Sequence, residues 1–152
     1  MITAQVLSKT DAARHWTAIG AYLMKAAEHD IEGRLTLGGL YGDVMRGSTL
    51  AILLRNEAGE ITGACAVTTT DIVSGRALFV RALGGEFGSD DTWLSAVVAC
   101  LDQLAIDNAC SDGVMFSGRP GWVKKLREHG YSVALVTMVK QIGGKHGKQG
   151  QK

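Results

Sequence analysis

Between Thr49 and Leu83, three apolar segments are separated by connections of only a few residues, and this spacing constrains the fold more than any other feature of the chain. Thr49 to Arg55 is a continuous apolar run, and Asn56-Glu-Ala-Gly59 is a turn. Ile61 to Asp71 alternates small, β-branched and apolar residues, Ser74-Gly75 makes the next turn, and Arg76 to Leu83 is the third segment. Links this short leave no room for a crossover helix. The three strands therefore run antiparallel, as a meander.

Helical patterns flank the meander. Trp16, Ile19, Leu23 and Ala27 recur at spacings of three and four, which predicts a helix over Thr10 to His29 with Asp11 in its first turn. Leu40, Val44 and Met45 predict a short helix over Leu37 to Arg46. After the glycine-rich stretch Gly84 to Gly88, Ser89 reads as an N-cap, with Asp90 and Asp91 in the first turn. Leu94, Val97, Val98, Leu101, Leu104 and Ala105 carry that helix to Ala109. Gly113 to Ser117 is a short strand, Pro120 opens a helix that closes at His129 and Gly130, and Tyr131 to Gln141 is a final strand. The fold class is α/β: a mixed sheet in which an antiparallel meander is followed by β-α-β-α-β. Residues 1–142 form one domain and 143–152 a flexible basic tail, since no Asp or Glu follows Glu128 while Lys140, Lys145, Lys148 and Lys152 do.

Composition narrows the function classes. Hydrophobic residues make up 46% of 152, charged residues 20%, and the net charge is +1. These figures describe a domain with a real core, not a polyanion-binding or membrane-bound body. The tail alone has the charge for a weak nucleic-acid contact. No apolar run is long enough to span a membrane, and Met1 to Lys9 lacks the order of a secretion signal, so a secreted or membrane location is not expected. Cys65, Cys100 and Cys110 are odd in number and lack C-x-x-C spacing, which predicts reduced thiols. His15, His29, His129 and His146 show no paired metal spacing, and no metal site is expected.

Two segments carry a family resemblance. Arg81-Ala-Leu-Gly-Gly-Glu86 resembles the phosphate loop of the GNAT N-acetyltransferases, Arg/Gln-x-x-Gly-x-Gly/Ala. Arg119-Pro-Gly-Trp-Val-Lys-Lys-Leu-Arg-Glu-His-Gly-Tyr131 resembles their short fourth helix and its Gly-aromatic exit. With the element order, the likeness spans Thr10 to Ile142. Leu83-Gly-Gly-Glu86, the following Trp-bearing helix and Gly118-Arg-Pro-Gly-Trp122 are similar to small GNAT-like proteins of tailed phages and prophages. The resemblance implies that Arg81, Gly84, Gly85 and Ser89 would hold acetyl-CoA, if it binds. It also implies a tyrosine acid four residues before Gly130, where this chain has Leu126. Glu86 stands where the family has glycine or alanine, and Asp90 and Asp91 add charge of the same sign. Each exposed like-charge contact with a phosphate costs about 1 kcal/mol. Asp71 and Glu86 are the candidates for a general base. The leading expectation is therefore a non-catalytic, cofactor-free bacteriophage protein. It would act in virion structure or assembly, in the host cytoplasm or the virion, and Arg119 and Trp122 would contact other virion or assembly proteins. The alternative is an acetyl-CoA-dependent N-acyltransferase.

Overall fold

The computed structural model describes residues 1–27, 35–86, 92–117, 121–136, 138, 140, 142 and 143. The chain divides into two compact units, Met1–Arg119 and Pro120–Lys152, each described by itself. In the first, the elements run β1 (Thr3–Val6), α1 (Lys9–Arg14), α2 (Trp16–Ala27), α3 (Leu37–Arg46), β2 (Leu50–Arg55), β3 (Ile61–Ile72), β4 (Gly75–Gly85), α4 (Thr92–Asp107) and β5 (Val114–Phe116). The second holds α5 (Gly121–Arg127).

The sheet has five strands in the order β1-β2-β3-β4-β5. The predicted meander is β2, β3 and β4, paired antiparallel from Leu50↔Val67 to Ile72↔Gly75. β5 returns parallel to β4, from Leu78↔Val114 to Val80↔Phe116, as a helical crossover requires. β1 is an added antiparallel edge strand on β2, Thr3↔Arg55 to Val6↔Ile52. The sequence pattern missed it because it has only four residues and a burial pattern without a fully buried position.

Alternation along the strands sorts side chains onto two faces. Ala51, Leu53, Ala64, Ala66 and Ala82 face α1–α3 and pack with Ile19, Leu23, Leu40 and Val44. On the other face, Ile52, Leu54, Cys65 and Val67 are fully buried, and α4 contributes Leu94, Val97 and Leu101. The predicted first helix divides into α1 and α2 at His15, whose backbone leaves the helical region (φ −99°, ψ 10°). Ser8 caps α1, accepting from the Asp11 N–H at 3.1 Å. Thr36 caps α3, accepting from the Gly39 N–H at 3.0 Å, and Gly47 closes α3 in the left-handed region at φ +85°.

In the second unit, Gly130 (φ +91°) ends the turn after α5, and the Tyr131 N–H reaches the Leu126 carbonyl at 3.1 Å. The expected strand over Tyr131 to Gln141 is not formed among the described residues of that stretch. Val133, Leu135, Val136 and Met138 are exposed there, and no sheet partner for them is seen among the described residues of this unit. Lys145, Lys148 and Lys152 of the expected tail lie outside the described residues.

The α1–α3 face of the sheet is built from small residues, and α2 lies close against it. A Cβ at Gly84 would stand 2.1 Å from the Tyr22 carbonyl oxygen. That is a backbone atom held in its helix, so it cannot swing aside. Gly84→Ala therefore forces α2 off β4, and the expected loss of stability is about 1–3 kcal/mol by chemical denaturation. An unchanged denaturation midpoint would show that α2 is not pinned there.

Candidate functional site

β4 outruns its neighbour. Its pairing with β5 ends at Val80↔Phe116, but the strand continues to Gly85 against β3. Beyond Val80, no described strand pairs with β4 on the β5 side. A bulge falls within this stretch: Val67 faces Val80, Ala66 faces Ala82, and Arg81 is the extra residue between them.

Three of the four residues assigned to cofactor binding from sequence, Arg81, Gly84 and Gly85, thus belong to a strand and not to a loop. The fourth, Ser89, lies outside the described residues, as do Asp90 and Asp91. Arg81 is turned toward α3. Its Nη1 donates to the Asp43 carboxylate and, at 3.0 Å, to the hydroxyl of the buried Thr49. Arg46 also donates to Asp43. The Arg81 hydrogen bond, aided by the charges of both guanidiniums and only partly offset by desolvation, holds the Asp43 carboxyl below its ordinary value. Gly84 is buried, with the α2 backbone over it.

At the end of β4 the Glu86 N–H donates to the Thr62 carbonyl at 2.8 Å, continuing the β3–β4 ladder. The Glu86 side chain is exposed and points to α2, where the Tyr22 hydroxyl lies 3.0 Å from Oε2. The same hydroxyl lies 3.1 Å from the Ile61 carbonyl, so its single proton serves one acceptor or the other. Desolvation, and then the hydrogen bond to Glu86, push the Tyr22 phenol above its ordinary value. The Lys25 ammonium sits 5.7 Å from the centre of the Tyr22 ring. The Thr62 hydroxyl is shielded from solvent and has no partner among the described residues.

The two general-base candidates are therefore far from equivalent. Asp71 lies at the opposite end of the β3–β4 hairpin, paired in register with Arg76, and its carboxylate accepts from the Arg76 guanidinium at 2.9 Å. Glu86 has a neutral partner instead. Sequence reasoning missed Tyr22, Asp43 and Thr49. The one signal for Tyr22 was its place three residues after Ile19 on the apolar stripe, where a phenol on a core face needs a hydrogen-bond partner.

The remaining sites resolve simply. Arg119 lies outside the described residues, and Trp122 is half-buried in α5 of the second unit. Cys65, Cys100 and Cys110 are unpaired thiols, and burial pushes Cys65 far up. Among the described residues no group of His, Cys, Asp and Glu is arranged to hold a metal ion. No described helix is long and apolar enough to cross a membrane.

No protein-family model matches the sequence, and no curated protein does. Solved structures do match. A ribosomal-protein-alanine N-acetyltransferase from Brucella melitensis biovar Abortus 2308 superposes with a TM-score of 0.64 at 17% identity, covering 94% of this chain and 100% of its own. A glucosamine-6-phosphate N-acetyltransferase from Arabidopsis thaliana gives 0.64 at 13%, covering 94% and 99%. A predicted acetyltransferase from Clostridium acetobutylicum, solved with acetyl-CoA, gives 0.60 at 10%, covering 93% and 96%. The fold is that of the GNAT N-acetyltransferases. This corrects the leading functional expectation. The structures that share the fold are acetyltransferases, which overturns the reading as a non-catalytic phage protein of the virion. Their agreement also leaves the cofactor-free expectation without support.

The Asp43 pair makes a testable statement about pH. A carboxyl whose folded pKa lies below its unfolded value contributes stability that is present above the unfolded value, 3.8, and is lost as pH falls through the folded one. Asp43→Asn is expected to be less stable than wild type at neutral pH, with a shallower fall from about pH 5 downward in urea titrations. Parallel curves for the two proteins would remove Asp43 as a source of acid sensitivity.

Proposed function

We propose that this chain is an acetyl-CoA-dependent N-acyltransferase. The observation that carries the reading is the β4 edge from Arg81 to Gly85, which extends past β5 without a described strand partner. An unpaired strand edge presents main-chain donors and acceptors that an extended, amide-bearing chain can join as a further strand. The pantetheine arm of coenzyme A is such a chain. Gly85 adds no side chain to crowd it, and Gly84 has its one crowded side turned to α2.

Two sequence objections weaken on this reading. Glu86 was set against anion binding, but its carboxylate is directed to the Tyr22 hydroxyl. Leu126 replaces the tyrosine acid of the family pattern, and the leaving thiolate then takes its proton from water. Arg81 is committed to Asp43 and Thr49, so main-chain groups, not this guanidinium, carry the coenzyme contact. The acetyltransferases that share the fold support the same chemistry.

Calorimetric titration with acetyl-CoA tests the proposal. Saturable heat with a Kd between about 1 μM and 1 mM is expected, the range in which such substrates usually bind. No heat, together with no thermal shift at millimolar acetyl-CoA, would overturn it.

A further inference from the structure

The net charge of +1 hides a separation along the chain. Met1–Arg119 holds nine Lys and Arg against fourteen Asp and Glu, a net −5, while Pro120–Lys152 holds seven against one, a net +6. In the second unit the cations are also sorted around a helix. α5 buries Leu126 and half-buries Trp122 and Val123 on either flank of it. At about 3.6 residues per turn, Lys124, Lys125 and Arg127 fall on the opposite side, and all three are exposed. Glu128, in the turn that follows, is the only acid of the unit, and Lys140 is exposed beyond it. The α5 dipole favours cations in its last turn, which accounts for part of this placement. It does not account for Lys140, Lys145, Lys148 and Lys152, which lie past the helix with no acid among them.

We infer that the second unit binds nucleic acid through the phosphate backbone. The inference stands apart from the acyltransferase reading and does not rest on it. Nucleic acid answers a dense set of cations better than an acidic protein surface does. A duplex carries one charge per about 1.7 Å of its axis, and each phosphate neutralised by Lys or Arg releases condensed counterions. The first unit bears the sign of the ligand, so the attraction belongs to the second. An anionic membrane fits less well. Segments that lie on a membrane set one apolar face against their cations. Exposed Val133 and Leu135 differ in parity from exposed Val136 and Met138, so an extended chain puts the two pairs on opposite sides. Gly143 to Lys152 has no apolar side chain at all. The bases themselves are not read. Trp122 and Tyr131 are half-buried, and among the described residues of this unit no aromatic side chain is exposed as a stacking platform. Phosphate contacts without base contacts give affinity and no sequence preference.

Fluorescence anisotropy of the full chain tests this with labelled duplex DNA and labelled single-stranded RNA, each in two unrelated sequences. Binding is expected in the micromolar range at about 50 mM salt, with affinities within about threefold between sequences. On the duplex, the logarithm of the binding constant is expected to fall against the logarithm of salt with a slope of about −3 to −6. The triple variant Lys124→Gln, Lys125→Gln, Arg127→Gln is expected to make that slope shallower by about 2–3. The triple variant Lys145→Gln, Lys148→Gln, Lys152→Gln leaves α5 untouched and is expected to act in the same direction, so the test does not depend on the first variant folding. Polyglutamate of equal total charge is expected to bind about tenfold more weakly or worse, since its charges are more widely spaced. Acetyl-CoA is expected to displace the duplex no better than inorganic triphosphate at the same concentration. A slope made shallower by either variant supports the inference, and a slope unmoved by both overturns it. Failure to bind either nucleic acid at low salt overturns it, including where the protein sediments with phosphatidylcholine–phosphatidylserine vesicles instead. Equal affinity for polyglutamate overturns it in favour of an acidic protein partner. Displacement by acetyl-CoA and not by triphosphate assigns the cations to the coenzyme and overturns it as well.

Discussion

The contact on which the rest of the first unit depends is the approach of the α2 backbone to β4 at Gly84. Around Gly84 the sheet face presents Ala64, Ala66 and Ala82, which have little side-chain height, and a helix can settle close to it. Close packing of this kind tolerates little change of volume. Its consequence is positional. Because α2 meets the sheet at the C-terminal end of β4, Tyr22 emerges beside Glu86, a residue 64 positions away in the chain. A bulkier residue at Gly84 would move the phenol and the carboxylate apart, although neither belongs to the apolar core.

A second tie acts on the same face. Arg81, the extra residue of the β4 bulge, reaches Asp43 on α3 and the buried Thr49 at the start of β2. The bulge is what turns this side chain toward the helices. A partly buried pair of this kind needs its partner, since either charge left alone would bear a desolvation cost. It therefore stabilises α3 against the sheet chiefly by making other arrangements worse. It also removes Arg81 from the set of cations available to a phosphate. The two ties hold helices against one side of the β4 terminus, and among the described strands none pairs with it on the β5 side beyond Val80.

The parts of the fold legible in the sequence are those set by local chemistry. Turns of two to four residues force an antiparallel meander, and the Leu37–Arg46 helix follows from its apolar spacing despite its glycines. The short β1 gave too few residues to show a period, and the break at His15 is a local backbone choice inside a continuous apolar stripe. The motif at Arg81–Glu86 was legible as a motif, yet its geometry was not. The glycines read as a loop because they lack side chains, whereas both lie in β4 and Gly84 admits the α2 backbone. No local rule encodes that, since the helix that fills the space lies some sixty positions earlier in the chain.

Glu86 shows the same limit of local chemistry, since by charge alone it stands against anion binding. A charge read from sequence has a sign and a position but no partner, and the partner decides what a carboxylate does. Asp71 and Asp43 are paired with arginines. Glu86 meets a phenol, which orients it without neutralising it. The residue that looked like an obstacle to an anionic cosubstrate is, in its folded setting, the one of these three carboxylates whose described side-chain partner is neutral. An acyltransferase on this fold would need an edge that takes the acyl donor, and among the described strands that edge is the end of β4, Arg81 to Gly85, which outruns β5.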